Sequence, residues 1–143
     1  MPTASGTFTV TITASRVATV TPTDTSTPQQ THIGRLGGQD FFNQIIAVVR
    51  DASGQKVPHV VVEFTAQADD AQHTYGVFAT GQSKKVTAVT DEEGRANAGI
   101  FSGRTASTKN PSEQQFPVEL QAAVAGSSVP AAVFTLTYLT RWN

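Results

Sequence analysis

Cysteine is absent from the chain, which excludes a disulfide framework and any thiolate metal site. It does not fix a compartment, because a β-sandwich of ordinary size stands without bridges. Charge of either sign is scarce. Charged residues make up 15% of the sequence and the formal net charge is -1, so the basic excess of a nucleic-acid binder is missing. No apolar run approaches the roughly 20 residues of a membrane helix. The N-terminus, Met1 to Gly6, lacks the basic start and apolar segment of a signal peptide. A cell-surface or secreted protein would therefore need a leader removed from this chain or another export route, and a cytoplasmic location stays open. Leu and Lys are few, and no stretch combines sustained helical spacing with caps.

What is abundant is Thr, Ser, Val and Ala, a mixture suited to strands and turns. The 143 residues fit one domain, residues 1–143, and can bury one ordinary core. Residues 48–64, V-V-R-D-A-S-G-Q-K-V-P-H-V-V-V-E-F, organise the rest. Val60, Val62 and Phe64 fall at every second position, which puts them on one face of a strand. Ile45, Ala47 and Val49 form a matching upstream set. Between them, Asp51-Ala52-Ser53-Gly54 carries the signature of a type I turn: the Asp carboxylate accepts from nearby backbone N–H groups and Gly tolerates positive φ. The same signature recurs at Asp91-Glu92-Glu93-Gly94, between residues 86–90 and 95–101. Two hairpins of similar design are expected.

Elsewhere, residues 7–13 (T-F-T-V-T-I-T) alternate cleanly and predict a strand, with a second short strand over 16–20. Residues 21–30 are rich in Thr, Pro and Ser and read as a loop. A turn is expected at 34–38, before a strand near Phe41, with Phe41 or Phe42 in the core. After Phe64 the polar residues 66–74 read as a long loop before a strand at 75–79, and 81–85 turn the chain again. Residues 102–115 form a second long polar loop. Phe116, Val118, Leu120, Ala122 and Val124 then alternate, with Pro117 expected near the strand's start or facing away from the ladder. Phe134, Leu136 and Tyr138 share a face of the last strand. Seven to nine short strands separated by turns predict an all-β fold, an immunoglobulin-like β-sandwich of two antiparallel sheets.

Three segments carry a family resemblance: V-R-D-A-S-G-Q-K-V-P-H-V-V-V-E-F at 49–64, V-T-A-V-T-D-E-E-G-R-A at 86–96, and P-V-E-L-Q-A-A-V-A-G with V-F-T-L-T between 117 and 137. In this order they resemble the group 1 bacterial immunoglobulin-like domains, the repeats of invasin- and intimin-type surface proteins. The resemblance covers roughly residues 40–139, a normal span for such a domain, and leaves 1–39 as N-terminal strands and a Thr/Pro-rich connection. It implies a non-enzymatic module, surface-exposed or secreted, that serves adhesion or spacing. The chain departs from the family pattern at His59, where a small residue or Gly is usual, in its two longer loops, and in its N-terminal forty residues. It holds one copy and no internal repeat.

No catalytic, cofactor or metal site is expected. His32, His59 and His73 share no ligand spacing and read as surface imidazoles. Asp69-Asp70 and Asp91-Glu92-Glu93 read as turn carboxylates without a calcium-loop pattern. No Ser sits in a G-x-S-x-G setting. Lys84-Lys85 reads as a solubilising turn, and Trp142 as either a partner anchor or an edge-packing residue. The two long loops are the expected contact surface, since binding residues concentrate on loops held by a rigid scaffold. Its residues are Asp69, Asp70 and His73 from the first loop and Arg104, Lys109 and Asn110 from the second. The expected partner is a protein or glycan, without nucleic acid or membrane insertion, and the chain is a monomer or weakly self-associating. The alternative is a structural or assembly module, with a sheet edge pairing to a neighbouring chain.

Overall fold

Alternation at every second residue produces the core. In the strand Gln115–Val124, Phe116, Val118, Leu120, Ala122 and Val124 are buried while the residues between them face outward. Phe134, Leu136 and Tyr138 do the same in Ala132–Leu139. The computed structural model of the chain describes residues 16–22, 31–35, 44–103 and 105–139, with 31–35 described by their backbone. The expected strand 7–13, most of the Thr/Pro-rich connection, Phe41, Phe42, Arg104 and Trp142 lie outside the described residues.

The strands are β1 (Val17–Thr21), β2 (Thr31–Arg35), β3 (Gln44–Asp51), β4 (Val61–Ala66), β5 (His73–Thr74), β6 (Val77–Phe78), β7 (Lys85–Val89), β8 (Arg95–Ser102), β9 (Ser107–Thr108), β10 (Gln115–Val124) and β11 (Ala132–Leu139). Four form a first sheet in the order β1-β3-β8-β6 and five a second in the order β2-β11-β10-β4-β7. The two sheets pack face to face as a β-sandwich. β5 and β9 make a small third sheet, beyond the seven to nine strands expected. Taken in order across each sheet, β1-β3-β8-β6 and β4-β10-β11 follow the A-B-E-D and C-F-G arrangement of immunoglobulin sandwiches, with β2 and β7 added at the edges of the second sheet. One pair departs from the antiparallel expectation: β2 runs parallel to β11. It also replaces part of the turn expected at 34–38. Parallel neighbours need no hairpin, and these two come from opposite ends of the chain, so no local pattern marks the pair.

Both expected turns form, but neither makes a hairpin between the strands it was expected to join. Asp51 Oδ1 accepts from the N–H groups of Ser53 and Gln55, and Asp91 Oδ1 from those of Glu93 and Arg95. Gly54 and Gly94 close the turns on the Asp carbonyls. After the first turn the chain runs back along β3 only as far as Val57, whose N–H bonds the Val49 carbonyl. Pro58 then has no N–H to extend the ladder, and His59 adopts φ 64, a left-handed conformation that ends a strand. Val60 enters the core and β4 joins the opposite sheet. The second turn likewise leads from β7 in one sheet to β8 in the other, where β8 pairs with β3.

These two crossings lie side by side and are tied together. The His59 N–H donates to the Thr90 carbonyl and the Thr90 N–H to that of Val60, each at 2.9 Å. Thr90, 2% exposed, adds its hydroxyl, which donates to the Val57 carbonyl at 2.8 Å and accepts from the Val60 N–H at 2.9 Å. Gly94 is wedged beneath: a Cβ there would stand 2.8 Å from the Val49 carbonyl oxygen, whereas one at Gly54 would meet nothing within 4 Å.

Thr90→Val keeps the shape and leaves a buried donor and acceptor without this partner, so a loss of about 2–3 kcal/mol is expected. Urea denaturation with an unchanged m-value checks it; a loss below about 0.5 kcal/mol, the range of surface changes, would show that the Thr90 hydroxyl does not tie the crossings together. Gly54→Ala should cost only the left-handed strain of about 1–2 kcal/mol, and Gly94→Ala clearly more. Equal midpoints for the two alanine variants would contradict the wedge.

Candidate functional site

Segments 66–76 and 105–115, far apart in sequence, meet at one end of the sandwich. β4 delivers the first and β10 receives the second. They pair through β5 and β9, with His73 opposite Thr108 and Thr74 opposite Ser107, and the Lys109 N–H donates to the Gln72 carbonyl at 2.9 Å. The two expected loops are therefore one platform.

Side chains brace it. His73 Nε2 lies 3.0 Å from both carboxylate oxygens of Glu113, and the Thr108 hydroxyl donates to the same carboxylate. On the other edge of the ring, Nδ1 faces the Tyr75 hydroxyl at 3.4 Å and Asp70 at 3.5 Å. Tyr75 in turn donates to Asp70 Oδ2 at 2.8 Å. The His73 ring stacks on Tyr75 and leans on Phe116, with centroids 5.4 and 4.5 Å apart. Asp70 Oδ1 also caps the turn by accepting from the N–H groups of Gln72 and His73. Beneath, Lys84 Nζ reaches Asp69 at 2.7 Å and the carbonyls of Gly76 and Gln67. Tyr138, buried in β11, donates to the Tyr75 carbonyl. Gly76, φ 114, passes so close to Ser102 and Tyr138 that a Cβ would stand 2.4 Å from the Ser102 carbonyl oxygen.

This setting moves several protons. Burial and the bond to Asp70 push the Tyr75 phenol up to about 12. The Tyr75 hydroxyl, the Gln72 N–H and weaker neighbours hold Asp70 below the usual carboxylate range. At Asp69 partial burial works against ionisation, but the bonds from Lys84 and the Tyr75 N–H outweigh it and the carboxylate is also lowered. The ring nitrogens of His73 face the platform's own carboxylates and hydroxyls, so in this geometry the side chain is a cross-brace. Among the described residues no group of three or more His, Asp or Glu is disposed to hold a metal ion.

Next to the platform, two depressions of about 380 Å³ each open on the outer face of the second sheet. They share Gln67 and Glu119. One extends to Thr65 and Gln121, the other to Thr135 and, at the platform, to Glu113, His73, Tyr75, Phe116, Pro117 and Val118.

Of the sequence-predicted contact residues, Asp69, Asp70 and His73 come together, and Lys109 and Asn110 lie across the small sheet from them. Asn110 caps the turn that follows it through Ser112. Two expectations need correction. His73 is half-buried between carboxylates, its side chain 18% exposed, and is not a surface imidazole; His59 remains exposed beside Glu92. Lys84 anchors three acceptors, while only Lys85 reads as a surface cation near Glu63. Glu113, Tyr75 and Phe116 are not marked as site residues by the sequence; the one signal is that Glu113 is the only acidic residue in its loop. No protein-family model, curated protein or solved structure matches this chain.

Two outcomes are expected. Glu113→Gln should weaken the half-buried pair with His73, by about 1–3 kcal/mol, and speed amide exchange at Lys109 at least tenfold while core amides of β10 keep their rates; unchanged exchange at Lys109 would deny the brace. The platform should also loosen at both pH extremes. Asp69 and Asp70, with lowered folded pKa values, contribute stability that is present above about 4 and lost as the pH falls through their folded values. Tyr75, raised to about 12, contributes stability that is complete below about 10 and lost as the pH rises through 12. Ultraviolet titration of the phenols, with Tyr75→Phe as reference, reads the alkaline limb; Tyr75 ionising near 10 would contradict it.

Proposed function

We propose that this protein is a non-enzymatic immunoglobulin-like module of a bacterial surface or secreted protein, which binds a protein or glycan partner in adhesion. The observation that carries this reading is the platform. Two loops distant in sequence are fused by a small sheet and cross-braced by His73, Glu113, Asp70 and Tyr75. A pre-ordered surface loses less conformational freedom on binding than two independent loops would. The immunoglobulin strand order, the paired Asp-x-x-Gly turns and the left-handed backbone at His59, where the resembling family carries Gly or a small residue, all support the resemblance on which the surface location rests.

A structural or assembly module is the second reading. It is favoured by the outer edge of the second sheet, where β7 has a partner on one side only among the described residues. There Val61 and Val89 lie opposite each other, 43% and 57% exposed. Such an edge can add a strand from a neighbour.

Fractionating source cells and probing intact cells with an antibody separates the two. Exposure on the surface or in the medium is expected. An interior location would reject adhesion and leave assembly, which light scattering at rising concentration would then show as growing mass. In the surface case, replacing residues 105–112 with a short Gly/Ser link should abolish partner capture; capture at the original level would take the platform out of the reading.

A further inference from the structure

The outer face of the second sheet beside the platform is built for a particular ligand chemistry. β10 turns Leu120 and Ala122 inward and Glu119 and Gln121 outward, all in one register. Gln121 lies opposite Thr65 on β4 and Glu119 opposite Thr135 on β11. Gln67 completes the set, and its place is fixed from both sides. Its N–H donates to the Glu119 carbonyl at 3.0 Å and its side-chain oxygen accepts from the Glu119 N–H at 2.9 Å. That bond leaves the Gln67 amide NH₂ as an outward donor. Gln121 donates to one oxygen of Glu119 at 3.2 Å, which holds the carboxylate and leaves its second oxygen as an acceptor. The two depressions both border on Gln67 and Glu119, and together they make up the trough.

We infer that this trough, lined by Thr65, Gln67, Glu119, Gln121 and Thr135, is a binding site for a neutral, hydroxyl-rich oligosaccharide. Each depression falls within the size range of ligand pockets, about 300–1,000 Å³; the second also touches Tyr75, Phe116, Pro117 and Val118, but the outward groups of the sheet that the two converge on are amides, hydroxyls and a carboxylate. An apolar ligand would have to desolvate them without replacement bonds. A sugar brings both donors and acceptors to every hydroxyl and satisfies them. An extended peptide is a poorer match: strand addition needs an unpaired edge, and β10 and β11 are paired on both sides. Charge narrows the class further. Among the described residues no Lys or Arg lines either depression, whereas Glu119 and Glu113 do, and Lys85, opposite Thr65 on β7, lies near Glu63, so sialylated and uronate sugars are disfavoured. The trough is shallow and water-accessible, which makes binding weak for one ring and additive along a chain of them.

This inference rests on the reading of the protein as a binding module, and its test is separable from that one. The full chain, labelled with ¹⁵N, is titrated with neutral gluco-, manno-, galacto- and N-acetylglucosamine oligosaccharides and with sialylated and uronate ones. Shifts confined to residues 65, 67, 119, 121 and 135 are expected with at least one neutral series and none of the acidic ones. Glu119→Ala, whose side chain is exposed, should keep a dispersed spectrum and weaken binding roughly tenfold or more; Gln121→Ala gives a second, milder loss. The inference is overturned if no neutral series moves these amides at high millimolar concentration, if Glu119→Ala binds equally well, or if acidic sugars bind more tightly. A protein found inside cells whose trough binds sugar would fail the adhesion reading alone. A surface protein with a silent trough would fail this inference alone.

Discussion

One buried hydroxyl stands where the chain changes sheets twice. A sandwich must pass its strands from one layer to the other, and every passage carries backbone N–H and C=O groups through a region without ladder partners. Here the passage from β3 to β4 and the passage from β7 to β8 satisfy each other, and the Thr90 side chain closes the remaining bonds to Val57 and Val60. The Asp51 and Asp91 turns set the chain direction on either side, and Gly94 lets the second turn press onto the first passage. That junction ties the two sheets together at one point, and the shared core holds them elsewhere.

The platform sits on this frame and is held by different forces. Few of its groups are deeply buried, so its order comes from satisfied polar contacts: the His73–Glu113 pair, the carboxylates of Asp69 and Asp70, and the Lys84 ammonium drawing three acceptors together. Two close approaches join it to the core, the Tyr138 hydroxyl on the Tyr75 carbonyl and the backbone of Gly76 against Ser102. A polar network of this kind rigidifies a surface while leaving it wet.

The sequence made plain whatever depends on period-two alternation or local turn chemistry. The inward faces of β4, β10 and β11, and both Asp-x-x-Gly turns, are as expected. Strand pairing was not legible. Residues 45–49 and 60–64 flank a hairpin-type turn, and only the combined effect of Pro58 and a left-handed His59 sends the second strand to the other sheet. Length and polarity mark the two loops as exposed segments and the expected contact surface. Their fusion was hidden because it rests on a residue 40 positions away, Glu113 meeting His73, and a single acidic residue in a polar loop carries no spacing signal. Lys84 carries no such signal either: its acceptors lie in a loop that folds back over it.

The trough inherits its geometry from the core. A one-residue slip of β10 against β4 or β11 would exchange the buried and outward sets, and would place Glu119 and Gln121 against Phe64 and Phe134. The register that buries Leu120 and Ala122 is therefore the register that sets Glu119 opposite Thr135 and Gln121 opposite Thr65. Recognition groups placed this way need no brace of their own beyond the Gln67 bonds, and they can change identity without disturbing the packing beneath. The platform has no such support and must hold itself together through charge and hydrogen bonding. The two surfaces thus differ in kind: the trough is as rigid as the sandwich, and the platform is as rigid as the contacts of His73, Asp70 and Lys84 make it.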